Sequence, residues 1–389
     1  MPWQETCAMD ERMRLVAELL RKALPVSTVC ACYGISRQTA YKWRRRYTDE
    51  GINGLHERSR RPHTMPRALP AAVREQLLAV RRAHVAWGPR KVLRYLVRRR
   101  PAHQWPAIST VGDLFRRHGL VARRRRRRST PRALGGLTVP TVPNAVWGAD
   151  FKGHFRLGNG ARCHPLTVSD LHSRFLLRCQ ALTAEREELV RPVFEATFRR
   201  YGLPLCIRTD NGAPFAARAP GGLSRLSAWW LKLGIWPERI TPGCPQQNGC
   251  HERMHRTLKA ATARPPCGSF GAQQRAFAHF QREYNYERPH EALGDRPPAA
   301  CYADSPRPYP SRIEEPAYPA HFEVRRVRHN GEIKWRGHFV FLTEVLTGEP
   351  IGLEEVADGA WVVYFAALPL GVLDDATHQL HLFPPARIR

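Results

Sequence analysis

VWGADFKGHFRL at residues 146–157, RCHPLTVSDLHSR at 162–174 and FLLRCQALT at 175–183 form the stretch that decides the fold. Apolar and polar residues alternate in each segment, which is the pattern of a strand with one buried face. The segments follow one another closely, so they predict three consecutive antiparallel strands.

Beyond this stretch the pattern changes to helices that alternate with short strands. Apolar periodicity predicts four helices and two strands in this region. In chain order they are the helix Ala184–Tyr201, the strand LCIRTD (205–210), the helix Leu223–Leu233, the strand IWPERITP (235–242), the helix Asn248–Ala263 and the helix Ala272–Arg288. Three meandering strands followed by this alternation predict an α/β core over residues 140–300, with a mixed sheet and helices on its faces.

The N-terminal region, residues 1–60, predicts a helix-turn-helix. Three short helices fall between residues 11 and 47, with Gly34 after the second and Ser36 as the N-cap of the third. The third helix would lie in the major groove of DNA. The side chains expected to contact DNA there are Arg37, Gln38, Lys42, Arg44 and Arg45. A generic three-helix bundle can show the same pattern, but the Gly turn and the basic third helix favour DNA binding.

A second helical unit is predicted over residues 61–135. Its helices run from Leu69 to His84, Pro89 to Arg100 and Ser109 to His118, and they indicate another helix-turn-helix-like domain. Six consecutive arginines follow at residues 123–128. Arg123, Arg124 and Arg125 belong to this run, which we expect to follow a phosphate backbone without reading sequence.

The C-terminal region, residues 316–389, is preceded by a proline-rich stretch from Pro297 to Pro319. Short apolar runs alternate with the turn sequences HNG, LTGE and ADGA. Repeated short strands with such turns predict a small β-barrel domain.

The charge distribution points to nucleic acid as the partner. The chain has 389 residues and a formal net charge of +28. Residues 1–145 hold 31 lysines and arginines against 9 acidic residues, whereas residues 316–389 hold 7 against 9. A basic front part on a near-neutral rear part is typical of a DNA-binding protein.

The remaining composition favours a cytoplasmic, bacterial-type protein that acts on the nucleoid. The ten cysteines are scattered and include no C-x-x-C pair, which indicates reduced thiols. The start, MPWQETCAMDERM, has no apolar run of the kind that a signal peptide needs. The longest apolar stretch is short and contains Pro369, so we expect no membrane partner.

Three acidic residues stand where a catalytic site would need them. Asp150 lies at the end of the first strand, and Asp210 ends a buried strand and is followed by Asn211 and Gly212. Glu252 lies early on a helix, just after PQQNGCH. Two neighbouring strand ends and a helix face can bring these carboxylates to one edge of the sheet. Each residue alone also has an ordinary explanation as a turn or a helix-start carboxylate.

A cluster of this kind calls for divalent cations. Three close carboxylates would repel one another unless a cation neutralised them, and oxygen ligands suit Mg²⁺. Two ions would fit phosphodiester chemistry, and we expect Mn²⁺ to substitute for Mg²⁺. Arg256 and Lys259 share the helix face of Glu252, so metal and DNA phosphate would lie side by side.

The motifs WGADFKGHF, PLTVSDLHSRF, RTDNGAPF and PQQNGCHERMHRTLK resemble the catalytic core of insertion-sequence transposases of the retroviral-integrase superfamily. The blocks YGISRQTAYKWRRRY and GPRKVLRYLVRRR before the core and YNYERPHEALGDRPPA after it extend the resemblance over nearly the whole chain. It implies an RNase-H-like fold in which Asp150, Asp210 and Glu252 bind the metal. It also implies DNA cleavage that frees a 3′-OH, strand transfer into target DNA, and a homo-oligomer on DNA.

Three interpretations follow from the sequence. The first is an active transposase that binds the terminal repeats of its element. The second is a DNA-binding regulator whose core no longer cuts, and the intact acidic triad argues against it. The third is an RNase-H-type nuclease without strand transfer, against which the two N-terminal DNA-binding units argue.

Overall fold

A computed structural model of the chain describes residues 7–59, 69–121 and 136–383. The chain divides into two compact units, Met1–Leu69 and Pro70–Arg389. The run that contains Arg123, Arg124 and Arg125 lies outside the described residues.

The first unit contains the predicted helix-turn-helix. Its helices are α1 (Ala8–Arg21), α2 (Val26–Cys32) and α3 (Arg37–Glu50). Gly34, with a φ of 61°, ends the second helix, and the Ser36 hydroxyl accepts a hydrogen bond from the Thr39 amide at 3.2 Å. A small apolar core closes between the helices. It contains Leu15, Val16, Leu19, Val29, Cys30, Ala40, Trp43 and Leu55.

The second unit begins with three helices, α4 (Ala71–Ala83), α5 (Pro89–Arg99) and α6 (Ile108–Arg117). Each buries one apolar face, and Trp87, in the turn before α5, is 1% exposed. The basic helix α5 also contacts the segment that follows the last helix of the core: Arg90 donates to the Asp295 carboxylate at 3.0 Å, and Arg98 to the carbonyl oxygen of Tyr286, also at 3.0 Å.

A mixed sheet of six strands forms the centre of the second unit. Its strands are β1 (Val146–Phe151), β2 (Phe155–Arg156), β3 (Arg162–Asp170), β4 (Leu176–Leu182), β5 (Cys206–Thr209) and β6 (Trp236–Arg239). The order is β2-β3-β1-β5-β6, with β4 beside β3. β3 pairs antiparallel with β1, and β5 pairs parallel with β1 and with β6. This is the mixed α/β arrangement that the sequence predicts.

The first predicted strand is divided in two. The sequence pattern predicts one strand over residues 146–157, but β1 ends at Phe151 and β2 begins at Phe155. Gly153 lies between them with a φ of 69°, a conformation that turns the chain out of the sheet.

Helices cover both faces of this sheet. They are α7 (Glu187–Tyr201), α8 (Arg225–Lys232), α9 (Gly249–Thr262) and α10 (Phe270–Arg282), the last continuing as a π-helical turn over Glu283–Glu287. Trp147, Phe194 and Trp230 lie in the core beneath α7 and α8, whereas Met254 and Phe277 lie in the core beneath α9 and α10. None of the helices in the described ranges is long and apolar enough to cross a membrane.

The C-terminal strands form a five-stranded antiparallel sheet and a separate hairpin. They are β7 (Glu323–Arg326), β8 (Glu332–Trp335), β9 (His338–Phe341), β10 (Pro350–Ala357), β11 (Ala360–Phe365), β12 (Leu368–Asp374) and β13 (Leu380–Leu382). The sheet has the order β13-β12-β11-β10-β7, and β8 pairs with β9. Pairings among the described strands do not close this sheet into a ring, so the barrel stays a prediction.

Candidate active site

Asp150 and Asp210 lie side by side at one edge of the sheet. β1 and β5 run parallel, with Val146 opposite Cys206 and Gly148 opposite Arg208. Asp150 is the penultimate residue of β1, and Asp210 directly follows β5. The neighbouring strand ends therefore bring the two carboxylates together, as the sequence predicts, and the charge of Asp210 acts on Asp150.

The Asp150 carboxyl group is electrostatically strained. Burial first, and then the negative charge of Asp210, raise its pKa to about 7, although nearby Lys152 acts in the opposite direction. The Asn248 side-chain amide donates a hydrogen bond of 2.9 Å to Asp150 Oδ2. A divalent cation between two such carboxylates would remove their repulsion, so the aspartate pair fits a hard metal ion.

His255 on α9 completes the surroundings of Asp150. The Thr167 hydroxyl lies 3.1 Å from the carbonyl oxygen of Asp150 and 2.6 Å from His255 Nε2, so it hydrogen-bonds to both β1 and α9. The other ring nitrogen, Nδ1, lies 3.7 Å from Asp150 Oδ2. Burial first, then His251 and Lys152, lower the pKa of His255 to about 2, so the ring is neutral.

His251 is one turn before His255 and packs α9 closely against β1. Its Nε2 lies 3.4 Å from the Ser169 hydroxyl, and burial lowers its pKa to about 4. A Cβ atom at Gly148 would come within 2.6 Å of the His251 ring. Only glycine at position 148 therefore allows this approach.

Glu252 lies in the first turn of α9 on its exposed side, together with Arg256 and Lys259. Within the described residues, no group of three potential metal-ligating side chains is gathered. The structure thus brings together Asp150 and Asp210 but leaves Glu252 outside their group. The role of Glu252 as the third ligand stays a prediction, as do the DNA contacts of Arg256 and Lys259.

The predicted DNA-reading side chains of the first unit lie on the outer side of α3. Ala40 and Trp43 of this helix are buried, whereas four of the predicted residues are exposed and Arg44 is half-buried. Lys42 lies 4.7 Å from the Trp43 ring centroid. Arg45 Nε lies 3.8 Å from an Asp49 oxygen on the helix surface. This face is available to a ligand, and its contact with DNA stays a prediction.

The sequence interpretation did not single out Asn248, Thr167 or His255. A partial signal existed, since His251 and His255 stand four residues apart and so share one face of a helix. Their partners, however, lie on strands 82 and 88 residues distant. Local sequence patterns do not encode such pairings.

Comparison with protein families assigns each part of the chain. The integrase core domain family matches residues 140–245, and a second integrase core domain family matches residues 233–298. Homeodomain-like domain families match residues 8–55 and 39–115. The IS481 family transposase C-terminal domain matches residues 322–381.

Two bacterial insertion elements encode similar proteins. An uncharacterized 39.2 kDa protein of insertion element IS476 from Xanthomonas euvesicatoria is 28% identical over 259 residues, which are 65% of this chain and 71% of that protein. An uncharacterized 31.7 kDa protein of insertion element IS407 from Burkholderia multivorans is 31% identical over 182 residues, which are 46% of this chain and 63% of that protein.

Two solved structures are also similar. The HTLV-2 integrase catalytic core domain in complex with magnesium is 15% identical and has a TM-score of 0.33, covering 42% of this chain and 99% of that one. A chain of the simian T-cell lymphotropic virus intasome in complex with a PP2A regulatory subunit is 15% identical and has a TM-score of 0.36, covering 72% and 93%.

The mixed sheet, the helix-turn-helix region and the family matches define the class of protein. It is a polynucleotidyl transferase with an integrase core and N-terminal DNA-binding helices. The integrase core matches, the IS481 transposase C-terminal match and the insertion-element relatives support an insertion-sequence transposase of the integrase-like superfamily.

Proposed function

We propose that the chain binds the terminal repeats of its element, frees a 3′-OH at each end and transfers that end into target DNA in a Mg²⁺-dependent reaction. The observation that carries this proposal is the electrostatically coupled pair of Asp150 and Asp210 on neighbouring parallel strands of an integrase core. Each element has two ends, and we propose that a homo-oligomer holds both of them on the DNA of the nucleoid.

Asp150, Asp210 and Glu252 would hold two Mg²⁺ ions, or Mn²⁺ ions in their place. Bound metal supplies charge neutralisation at the attacking and leaving oxygens of an in-line displacement. Asn248 donates a hydrogen bond to Asp150 Oδ2, and a metal-ligating carboxylate keeps such an outer hydrogen bond. Glu252 would join the aspartates from the first turn of α9, whose N-cap residue Asn248 already contacts Asp150.

Two displacements at phosphorus make up the reaction. In the first, a water oxygen attacks the phosphorus at the element end, and the bond to the 3′-oxygen breaks, which leaves a 3′-OH. In the second, that 3′-OH attacks a target phosphodiester, one P–O bond forms, and the target 3′-oxygen leaves and takes up a proton. Exposed Arg256 and Lys259 would hold the DNA backbone beside Glu252.

Strand transfer of a labelled oligonucleotide tests the proposal. Its sequence is that of the terminal inverted repeat that the proposal places beside the gene, and a gel shift of the same DNA is run beside it. We expect Glu252→Gln to lower cleavage and transfer by about a hundredfold or more, the scale of losing one catalytic group, while binding stays nearly unchanged. Glu188→Gln, which changes an exposed glutamate of α7, is the matched control and should behave like wild type.

The metal requirement is tested in the same assay. Mg²⁺ or Mn²⁺ should support transfer and Ca²⁺ should not, whereas excess chelator should abolish it. Robust activity in chelator would overturn the metal assignment. Wild-type protein that binds the repeats but never cuts them with either metal would instead identify a DNA-binding regulator.

A further inference from the structure

Lys91, Arg174 and Arg288 act on His290, and Arg253 acts on Lys91. We call these four basic side chains, which come from four separate elements, the cation cluster. Burial first, and then Arg288, Lys91 and Arg174, lower the pKa of His290 to about 3. His290 Nε2 is buried and has no hydrogen-bond partner among the described residues. The ring instead lies edge-on to Tyr284, with centroids 4.7 Å apart.

One contact brings Arg288 to α9, the helix that carries Arg253. Arg288 Nη2 lies 3.5 Å from the Thr257 hydroxyl, and that hydroxyl donates to the carbonyl oxygen of Arg253 at 3.2 Å. Lys91 on α5 faces the same place: after burial, Arg288 and Arg253 both lower its pKa, to about 8. The cluster therefore has members on α5 and on α9, the helix that carries Glu252.

The acidic side chains nearby are already paired. Asp295 binds both Arg90, at 2.9 Å, and Arg94, at 3.2 Å. Glu291 lies 3.1 Å from Arg90. These two carboxylates do raise the pKa of Lys91, yet burial and the arginines outweigh them. Glu283, the remaining acid that acts on Arg288, lies 3.0 Å from His84.

This leaves excess positive charge in a partly buried place. Among the described residues, no acidic side chain forms a salt bridge with any of the four members. Lys91, Arg174 and Arg288 are only partly exposed to solvent. Burying a cation without a counter-ion is costly, and a guanidinium cannot escape that cost by losing its proton. An arrangement of this kind fits an anionic ligand.

We propose that the cation cluster binds a backbone phosphate of the DNA strand that the Glu252 face of α9 engages, which rests on the function proposed above. Arg253 directly follows Glu252, so the cluster flanks that face. Exposed Arg256 and Lys259 continue the positive surface along the same helix. A continuous basic track suits a polynucleotide backbone better than an isolated phosphate ion.

The salt dependence of DNA binding tests the cluster without requiring cleavage. The full chain binds a fluorescent duplex that carries the flanking inverted repeat, in chelator, between about 50 and 200 mM KCl. We expect Lys91→Gln and Arg253→Gln each to lower the slope of log K against log[KCl] by about one, and the double variant by about two, because each removes one phosphate contact. Arg253 is exposed, so its variant tests the cluster even if Lys91→Gln folds poorly.

Arg199→Gln provides the matched control. It removes the same charge from α7, where Arg199 pairs with Glu195 at 2.7 Å outside the cluster, and its slope should equal that of wild type. Slopes for Lys91→Gln and Arg253→Gln that match this control would overturn the proposal. A second result would also overturn it: inorganic phosphate stabilises wild type but not these variants, while the slopes for DNA binding stay unchanged. That result would identify a site for a free anion. Because this experiment measures binding and not cleavage, its result can be interpreted even if the wild-type protein proves unable to cut DNA. Failure of this proposal can thus be distinguished from failure of the proposed function.

Discussion

At the scale of single residues, the Thr167 hydroxyl links β1 to α9. It lies 3.1 Å from the Asp150 carbonyl oxygen and 2.6 Å from His255 Nε2. We predict that Thr167→Val, which keeps the shape, lowers the free energy of unfolding by about 1–3 kcal/mol, because the buried Nε2 of His255 loses its hydrogen-bond partner. Thermal or urea unfolding of the full chain measures this change.

Thr197→Val is the control for that substitution. Thr197 is equally buried, but its hydroxyl donates to the Val193 carbonyl within its own helix. When the hydroxyl is removed, that carbonyl still has its backbone hydrogen bond in the helix. We expect this variant to lose clearly less stability. Equal losses in the two variants would show that the Thr167–His255 bond contributes nothing beyond an ordinary buried hydroxyl.

Lys91 gives a prediction with a pH dependence. Its pKa falls from 10.5 to about 8 in the folded chain, chiefly through burial and Arg288. Between these values the unfolded chain binds more protons than the folded one, so stability should rise with pH by at most about 1.4 kcal/mol per unit. The stability of wild type minus that of Lys91→Met, followed from pH 7 to 10, isolates this effect. A difference that does not change with pH would contradict it.

Sequence and structure agree on the residues whose positions follow from neighbouring strands. Asp150 and Asp210 were predictable as a pair, because each ends an apolar run and parallel strand ends meet at one edge. Asn248 was not predictable, because its partner Asp150 lies 98 residues away. Lys91 was not predictable either, because α5 contacts residues about 200 positions later in the chain. Tertiary contacts of this range have no signature in local periodicity.

At the scale of elements, the attachment of α5 to the segment after α10 depends on Asp295. Its side chain is only 8% exposed and binds Arg90 and Arg94, and its backbone φ is 63°. We predict that Asp295→Asn lowers stability by about 1–3 kcal/mol, because it weakens charge-assisted bonds while asparagine still tolerates the left-handed conformation. Limited proteolysis in the turns around α5 should become faster.

Glu291→Gln is the comparison for Asp295→Asn. Glu291 also pairs with Arg90, but its side chain is 76% exposed, and an exposed pair contributes at most about 1 kcal/mol. We expect little change in stability and in proteolysis. If both variants behaved alike, the burial of Asp295 would not decide the attachment of α5.

Elements differ in how well local sequence determined them. α3 was predictable because Gly34 and Ser36 specify its start through a turn and a cap, and both are observed. The end of β1 was not, because Gly153 interrupts an alternating pattern that would otherwise continue to residue 157. Strand alternation in the C-terminal region predicted strands correctly, but closure into a barrel depends on pairing between distant strands.

At the scale of the whole molecule, the helix-turn-helix and the integrase core lie in different compact units. The first unit closes its own core over residues 7–59, whereas helices α4 to α6 belong to the same compact unit as the catalytic sheet. The sequence predicts a second helix-turn-helix domain over residues 61–135 as a separate module, and that boundary stays a prediction. Helix α5 also forms hydrogen bonds with residues 286–295, and a cut after residue 135 would remove these partners.

We therefore predict that a fragment of residues 1–69 folds by itself and binds the flanking inverted repeat. Its helices should give a cooperative thermal transition by circular dichroism, because Trp43 and the leucines of α1 fill one core. Binding should prefer the repeat over random DNA and weaken steeply with salt, since several phosphates are neutralised. Lys42→Gln and Arg45→Gln should weaken it, whereas Arg14→Gln, on α1 and paired with Glu11, should not. Equal affinity for random DNA and the repeat would place recognition elsewhere in the chain.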